Sequence, residues 1–164
     1  LTRLPNRRLL MDRLRQAQLS SSRQRSYYGV LFIDLDGFKR VNDSFGHEVG
    51  DQLLIEIGRR LQAAVRQHDT VSRLGGDEFV VLLEELGVDE KTAADHVNTV
   101  ADKILDAIER NDQLRGETHR CSASIGIRLL VGSQESPEQV LMDADAAMYS
   151  VKRQRRALKT FAFE

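Results

Sequence analysis

A chain of 164 residues fits one compact domain, and 41% hydrophobic with 30% charged residues gives it a core under a strongly solvated surface. With 24 Lys+Arg against 25 Asp+Glu the formal net charge is -1, which argues against a general binder of nucleic acid or of anionic membranes and makes any phosphate handling local. Cys121 is the single cysteine, so an intrachain disulfide and a cysteine zinc site are both out of reach, and the cytoplasm is the expected compartment. No apolar run nears the roughly 20 residues a membrane helix needs, so no direct membrane contact is expected from this domain. There is no signal-peptide pattern. The opening Leu1-Thr2-Arg3-Leu4-Pro5-Asn6 lacks a Met and reads as one domain cut from a longer protein.

Asn6 is suited to cap a helix with Leu9, Leu10, Leu14 and Ala17 on its apolar face, and Ser20-Ser21-Ser22 is expected to break it. Tyr28 to Ile33 is a short apolar run, the mark of a buried strand, and it ends in Asp34-Leu35-Asp36-Gly37. After a short segment through Val41, a helix carries Val49, Leu53, Leu54, Ile57, Leu61 and Val65 on one stripe. Val71 to Leu74 and Phe79 to Leu83 are strand-like, and Gly75-Gly76 between them favours a tight hairpin because both residues tolerate positive φ. Thr92 with Asp95 resembles a capping pair for a helix displaying Ala93, Val97, Val100, Ile104 and Ile108. Cys121, Ala123, Ile125, Ile127 and Leu129 alternate with Ser122, Ser124, Gly126 and Arg128, the pattern of a half-buried strand. Ser136-Pro137 with Gln139 starts a last helix through Val140, Leu141, Ala144, Ala147, Met148 and Val151. A final strand is expected over Thr160 to Phe163. The hairpin and its neighbours point to an α/β sandwich with a mixed or mostly antiparallel sheet.

Three features carry chemistry. Asp34 and Asp36 stand two apart at a strand end, where they share a face unless a turn at Leu35 separates them. Asp77 and Glu78 follow the glycine pair at the hairpin tip, and Lys39, Lys152 and Arg156 offer cations. Carboxylates from a strand end and a hairpin tip, converging on one point, make an all-oxygen site suited to Mg²⁺ or Mn²⁺, the setting of phosphoryl and nucleotidyl transfer. A phosphate loop with its lysine is absent, so nucleotide phosphates would rest on the turn after the first strand. The blander alternatives are that the acids merely form turns and that the cations near the last helix end answer its dipole. His47, His68, His96 and His119 lie in unrelated contexts, so a histidine metal site is not expected.

Arg73-Leu74-Gly75-Gly76-Asp77-Glu78-Phe79 carries the signature of the GGDEF family. Phe32-Ile33-Asp34-Leu35-Asp36-Gly37-Phe38-Lys39, Asn42-Asp43, Gly46-His47 and Gly50-Asp51 are similar to further family segments in the same order. So are the opening Leu1 to Arg7 and the closing Ala144-Asp145 through Met148-Tyr149 and Lys152, and the likeness spans essentially the whole chain. The resemblance implies a single GGDEF domain over 1–164, taken from a multidomain signalling protein. Its fold would be similar to the palm of nucleotidyl cyclases, a central, mostly antiparallel five-stranded sheet flanked by helices. It also implies a diguanylate cyclase joining two GTP into cyclic di-GMP with Mg²⁺ or Mn²⁺, two ions per half-site, between two domains of a homodimer.

Residue by residue, the resemblance makes Asp34 and Asp77 metal ligands together with the Leu35 carbonyl. Glu78 becomes the group that helps deprotonate the attacking 3′-hydroxyl, with metal contact of its own. Asn42 and Asp51 would read guanine, and Lys39, Lys152 and Arg156 would hold the triphosphate beside the backbone of Gly37 and Phe38. Arg66 and Asp69 match an inhibitory product site, their bland alternative being a helix-end arginine and a turn aspartate. The closing segment departs from the family pattern, with Arg155 and Ala157 where a glycine and an asparagine are usual. Alternatives kept open are a GTP-binding regulatory domain controlling an attached phosphodiesterase, and a cyclic di-GMP receptor.

Overall fold

The computed structural model describes residues 1–114 and 116–155. Its central strand, β1 (Tyr28–Asp36), pairs antiparallel with β3 (Glu78–Leu83) on one side and with β6 (Ser122–Leu130) on the other. β2 (Thr70–Gly75) flanks β3, so the sheet order is β2-β3-β1-β6. α1 (Arg7–Gln24) and α5 (Pro137–Arg155) cover one face, and α2 (Phe38–Phe45), α3 (His47–Ala64) and α4 (Glu90–Ile108) cover the other. A separate hairpin of β4 (Asn111–Leu114) and β5 (Glu117–Arg120) precedes β6.

The uninterrupted apolar run of β1 follows from burial on both sides. Leu31, Ile33 and Leu35 enter the core under α3 and α4, while Tyr28, Val30 and Phe32 enter the one under α1 and α5. Continuing that alternation past Phe32 puts Asp34 and Asp36 on the α1/α5 face at the strand's end. The expected α/β sandwich with an antiparallel sheet is therefore the fold, with four strands in the main sheet among the described residues. The strand expected at Thr160 to Phe163 lies outside the described residues.

Four local expectations are corrected. α1 runs through Ser20-Ser21-Ser22 to Gln24, because its serines have partners that do not compete with the helix. Buried Ser21 donates from Oγ to the Ser26 carbonyl and accepts from the Gly132 N–H, and Ser22 donates to Ser133. The cap of α4 is Asp89, whose carboxylate accepts from the N–H and the hydroxyl of Thr92; Asp95 pairs with Lys91 instead. β6 is covered on both faces: its polar side packs under α5, with Ser124 and Gly126 buried. There Arg128 is held by Glu135 at 2.7 Å and Asp143 at 2.5 Å, which makes its burial tolerable. Finally, β4 and β5 were not foreseen, since Asn111-Asp112-Gln113-Leu114 lacks the apolar alternation that marks a strand.

Candidate active site

The site is built where β1 ends against the β2–β3 hairpin. Asp34 is the cross-strand partner of Glu78, and the Leu35 N–H donates to the Asp77 carbonyl at 3.2 Å, so strand end and hairpin tip are locked together. The tip turns through Gly75 (φ 152) and Gly76 (φ 50), with a register shift between Arg73 and Gly75. A Cβ would meet nothing at either glycine, so the demand for glycine there is conformational, not spatial. Arg73 closes the turn by donating from Nε to the Gly76 carbonyl at 3.0 Å.

This geometry presses carboxyls together. Burial first, and then the charge of Asp34, push the Asp77 carboxyl up to about 6. Burial also raises Glu78, with the charges of Asp34 and Asp145 adding to it, and it raises Asp145, with Asp34 adding again. Two ionised carboxylates have only acceptors to offer each other, so one shared proton or one cation must join Asp34 and Asp77. The chain supplies a cation of its own: Lys152 Nζ lies 2.6 Å from Asp34 Oδ2 and 3.7 Å from Asp36 Oδ1. Burial works against the charge on Lys152, but its hydrogen bond to Asp34 and the charges of Asp34, Asp36 and Asp77 outweigh that and raise its pKa.

Asp34 and Asp36 do share a face; no turn at Leu35 parts them. Asp36 is steadied by the hydroxyls of Ser122 at 3.1 Å and Ser124 at 3.2 Å, which donate to its two oxygens. Asp34 Oδ1, by contrast, is buried with no hydrogen-bond partner. That orphaned acceptor, the repulsion around it and the lysine drawn to its neighbour fit an oxygen-loving cation. Among the described residues no three Asp, Glu, His or Cys side chains form a group able to hold an ion by themselves. Such an ion would rely on one or two carboxylates and on ligand oxygens, the habit of Mg²⁺.

Beyond β1 the chain turns at Gly37 (φ 72), the left-handed N-cap of α2, which offers the helix no side-chain cap. Leu35 is buried, Lys39 is exposed on the first turn of α2, and Phe38 packs against the core. Asn42 lies on α2 and exposed Asp51 near the start of α3, the two helices being joined through Gly46, which ends α2 and starts α3. A Cβ on Gly50 would sit 1.9 Å from Asn42 Oδ1 and 3.3 Å from the Phe38 ring, so the missing side chain is what seats the Asn42 carboxamide. We expect Gly50→Ala to displace that carboxamide, a movable side-chain tip, and so to weaken guanine-nucleotide binding about tenfold while the melting temperature changes little. Calorimetric titration with GTP beside a thermal melt checks this, and unchanged affinity would remove Asn42 from recognition.

The remaining positions are placed as follows. Arg66, just past α3, is exposed, and its Nη2 donates to the Glu84 carbonyl at 2.7 Å. The Asp69 side chain is only 1% exposed; it accepts from the N–H groups of Arg66 at 2.9 Å and Glu84 at 3.2 Å, with Arg66 Nε at 3.5 Å. Asp69 thus fixes the loop that presents Arg66. Arg156 lies outside the described residues, as does Ala157. The Ser122–Asp36–Ser124 bridge and the parts played by Asp145 and Gly50 go beyond what the motifs indicate. The first was signalled by strand parity, which sets Ser122 and Ser124 opposite Asp36 and Asp34.

An antiparallel sheet whose central strand and glycine-tipped hairpin converge in acids defines a class of site, and the comparisons give it a family. The model of the diguanylate cyclase GGDEF domain matches residues 1–157, and this chain belongs to that family. It is 48% identical over 156 residues to the bifunctional diguanylate cyclase/cyclic di-GMP phosphodiesterase MucR of Pseudomonas aeruginosa, covering 95% of this chain and 22% of that protein. It is 42% identical over 163 residues to the diguanylate cyclase TpbB of the same species, covering 99% of this chain and 36% of that one. The crystal structure of the GGDEF domain of TpbB (YfiN) from Pseudomonas aeruginosa superposes with a TM-score of 0.89 at 39% identity, over 99% of this chain and 98% of that one. The chain therefore spans about a fifth to a third of the length of these curated relatives. Divalent metal use is general in the family. Among the described residues no helix is long and apolar enough to cross a membrane.

Proposed function

We propose that this domain is a diguanylate cyclase, condensing two GTP into cyclic di-GMP and pyrophosphate, with Mg²⁺ or Mn²⁺ bound by Asp34, Asp77, Glu78 and the Leu35 carbonyl. The observation that carries the reading is the crowding of the Asp34 and Asp77 carboxyls, with Lys152 Nζ 2.6 Å from Asp34, beside an uncapped helix start and the Asn42 carboxamide seated over Gly50. The two relatives named above are called diguanylate cyclases, which supports it.

In each of two steps, the 3′-oxygen of one GTP bonds to the α-phosphorus of the other, and the bond from that phosphorus to the pyrophosphate oxygen breaks. Glu78 takes the hydroxyl proton, a task suited to a carboxyl whose pKa burial and Asp34 have raised. The divalent ions, two per half-site, supply positive charge to the α-phosphate and acidify the hydroxyl when bound. Asp51 accepts from guanine N1–H and the 2-amino group, which adenine cannot match, and the Asn42 carboxamide completes the edge. Lys152, released from Asp34, turns to the phosphates with Lys39, Arg156 and the backbone at Gly37 and Phe38.

One domain holds one GTP, so catalysis needs two domains face to face, a homodimer acting by proximity. Arg66, held out by Asp69, would take a phosphate or guanine edge of the product and restrain the enzyme. The reaction belongs in the cytoplasm, where GTP is supplied, and no nucleic acid takes part. The test is incubation with GTP and Mg²⁺ at several protein concentrations, resolving products by mass. Cyclic di-GMP is expected, at a rate per domain that rises with concentration; a rate that stays flat on dilution would remove the dimer. GTP binding without product would turn the reading to a regulatory domain, the role left open by the small share of MucR that this chain spans.

A further inference from the structure

A groove of about 470 Å³ opens beside the acids, lined by Asp36, Gly37, Arg40, His119, Arg120, Ser122, Ser124 and Lys152. Its size falls within the range of small-molecule sites. None of the roles described above uses Arg40, His119 or Arg120. Its charges are lopsided. Asp36 is the one acid in the lining, and it is already satisfied by two serine hydroxyls and approached by Lys152. Arg40 and Arg120 are exposed, and among the described residues neither has an ion-pair partner. Two guanidiniums left facing one recess have a Coulombic cost that a polyanion would reverse.

The groove is also built, since its walls come from five separate elements, β1, α2, β5, β6 and α5. Arg40 stands on the first turn of α2, whose uncapped N-terminus at Gly37 points partial positive charge toward the same opening. Arg120 and His119 come from β5, far along the chain. The β4–β5 hairpin is held beside α2 by the His119 ring, which meets Phe45 edge-on with centroids 6.5 Å apart and planes at 74°. Lys152 forms the boundary with the acid pair.

We propose that Arg40 and Arg120 are further, forked donors to the β- and γ-phosphates of GTP, extending into this groove the phosphate seat proposed above at Gly37, Lys39 and Lys152. The inference rests on the cyclase reading for the identity of the nucleotide. It adds to that reading a wall supplied by the β4–β5 hairpin. The α-phosphate then lies at the acid end, near Asp34, and the tail extends past Gly37 into the arginines. When the bond between the α-phosphorus and the bridging oxygen breaks, both electrons leave with that oxygen, and the added charge on pyrophosphate falls between two guanidiniums.

Titration calorimetry with inorganic pyrophosphate tests this without turnover. The wild-type domain is expected to bind it, Arg40→Ala and Arg120→Ala each to weaken binding about tenfold, and the double variant more than either. Arg120→Lys is expected to recover only part of the loss, because an ammonium lacks the fork. Both arginines are exposed, so the variants should melt with the wild type, and backbone amide shifts on adding pyrophosphate should fall at residues 37–40 and 119–124. Pyrophosphate affinity indifferent to both arginines, or no binding at all, overturns the site. The two readings fail separately. A domain that makes no cyclic di-GMP yet loses pyrophosphate with these arginines loses the cyclase reading and keeps a polyphosphate groove. A domain that turns over GTP while ignoring both changes loses the groove alone.

Discussion

Glu78→Gln is expected to cut cyclic di-GMP formation by roughly a hundred- to ten-thousand-fold while GTP binding and the fold survive. The substitution keeps the shape of a side chain that is half-buried at the first residue of β3, opposite Asp34. What it removes is the capacity to take a proton. Burial and the charges of Asp34 and Asp145 already hold the Glu78 carboxyl above its ordinary range. In the folded state its ionised form is therefore disfavoured relative to the unfolded chain. Stability from this group is largest at low pH and declines as pH rises from the unfolded value through the raised one. A neutral amide escapes that decline, so at neutral pH the variant should melt no lower than the wild type. The guanine contacts proposed for Asn42 and Asp51 lie on α2 and α3 and not on the hairpin, which is why affinity for GTP should persist. Product quantified by mass, with calorimetry and a melt on the same sample, decides the matter. Retention of more than about a tenth of the wild-type rate would exclude Glu78 from the chemistry.

The parts of this site that could be read from the sequence are those in which a local pattern and a contact coincide. Tyr28 to Ile33 had to be a buried strand, and its acids had to emerge at one end. Gly75-Gly76 had to turn, and the turn had to bring Asp77 and Glu78 back along that strand. Two short-range rules therefore placed four acids, Asp34, Asp36, Asp77 and Glu78, together. The failures have a common cause too, because each depends on what packs against a residue from far along the chain. Ser20 to Ser22 looks like a helix breaker until Ser26, Gly132 and Ser133 take up its hydroxyls. Ser122 and Ser124 look like the solvent face of a strand, yet they steady Asp36 across the sheet, 86 and 88 residues away. Lys152 was expected to hold phosphate, and its ion pair with Asp34 spans 118 residues. Alternation predicts sides but not coverings, and α5 covers the side of β6 that composition had left to water.

Gly126 shows how tightly that covering is set, and Gly126→Ala is expected to be the most destabilising single-methyl change in the domain. Opposite Phe32 on β1, Gly126 lies where α5 crosses the sheet. A Cβ there would come within 2.1 Å of the Met148 nitrogen and 2.2 Å of the Ala144 carbonyl oxygen. Both atoms are helix backbone, so no rotamer change relieves the clash, and the whole helix has to lift away from the strand. Gly50 is the instructive contrast, because the atom its Cβ would strike is the tip of a movable side chain. Lifting α5 opens the buried contacts of Val140, Leu141, Ala144 and Met148, and overpacking of this kind costs on the order of 3 kcal/mol. For a domain of this size that lowers the melting temperature by about 6–12 °C. The damage should not stop at stability. Lys152 follows Met148 by one helical turn, so a displaced α5 carries its ammonium away from Asp34 and leaves the Asp34–Asp77 pair without the cation that joins it. Activity should therefore fall at temperatures where the variant is still folded. Thermal melts with turnover measured well below the transition test both halves, and a variant that melts with the wild type would show that α5 does not rest on this glycine.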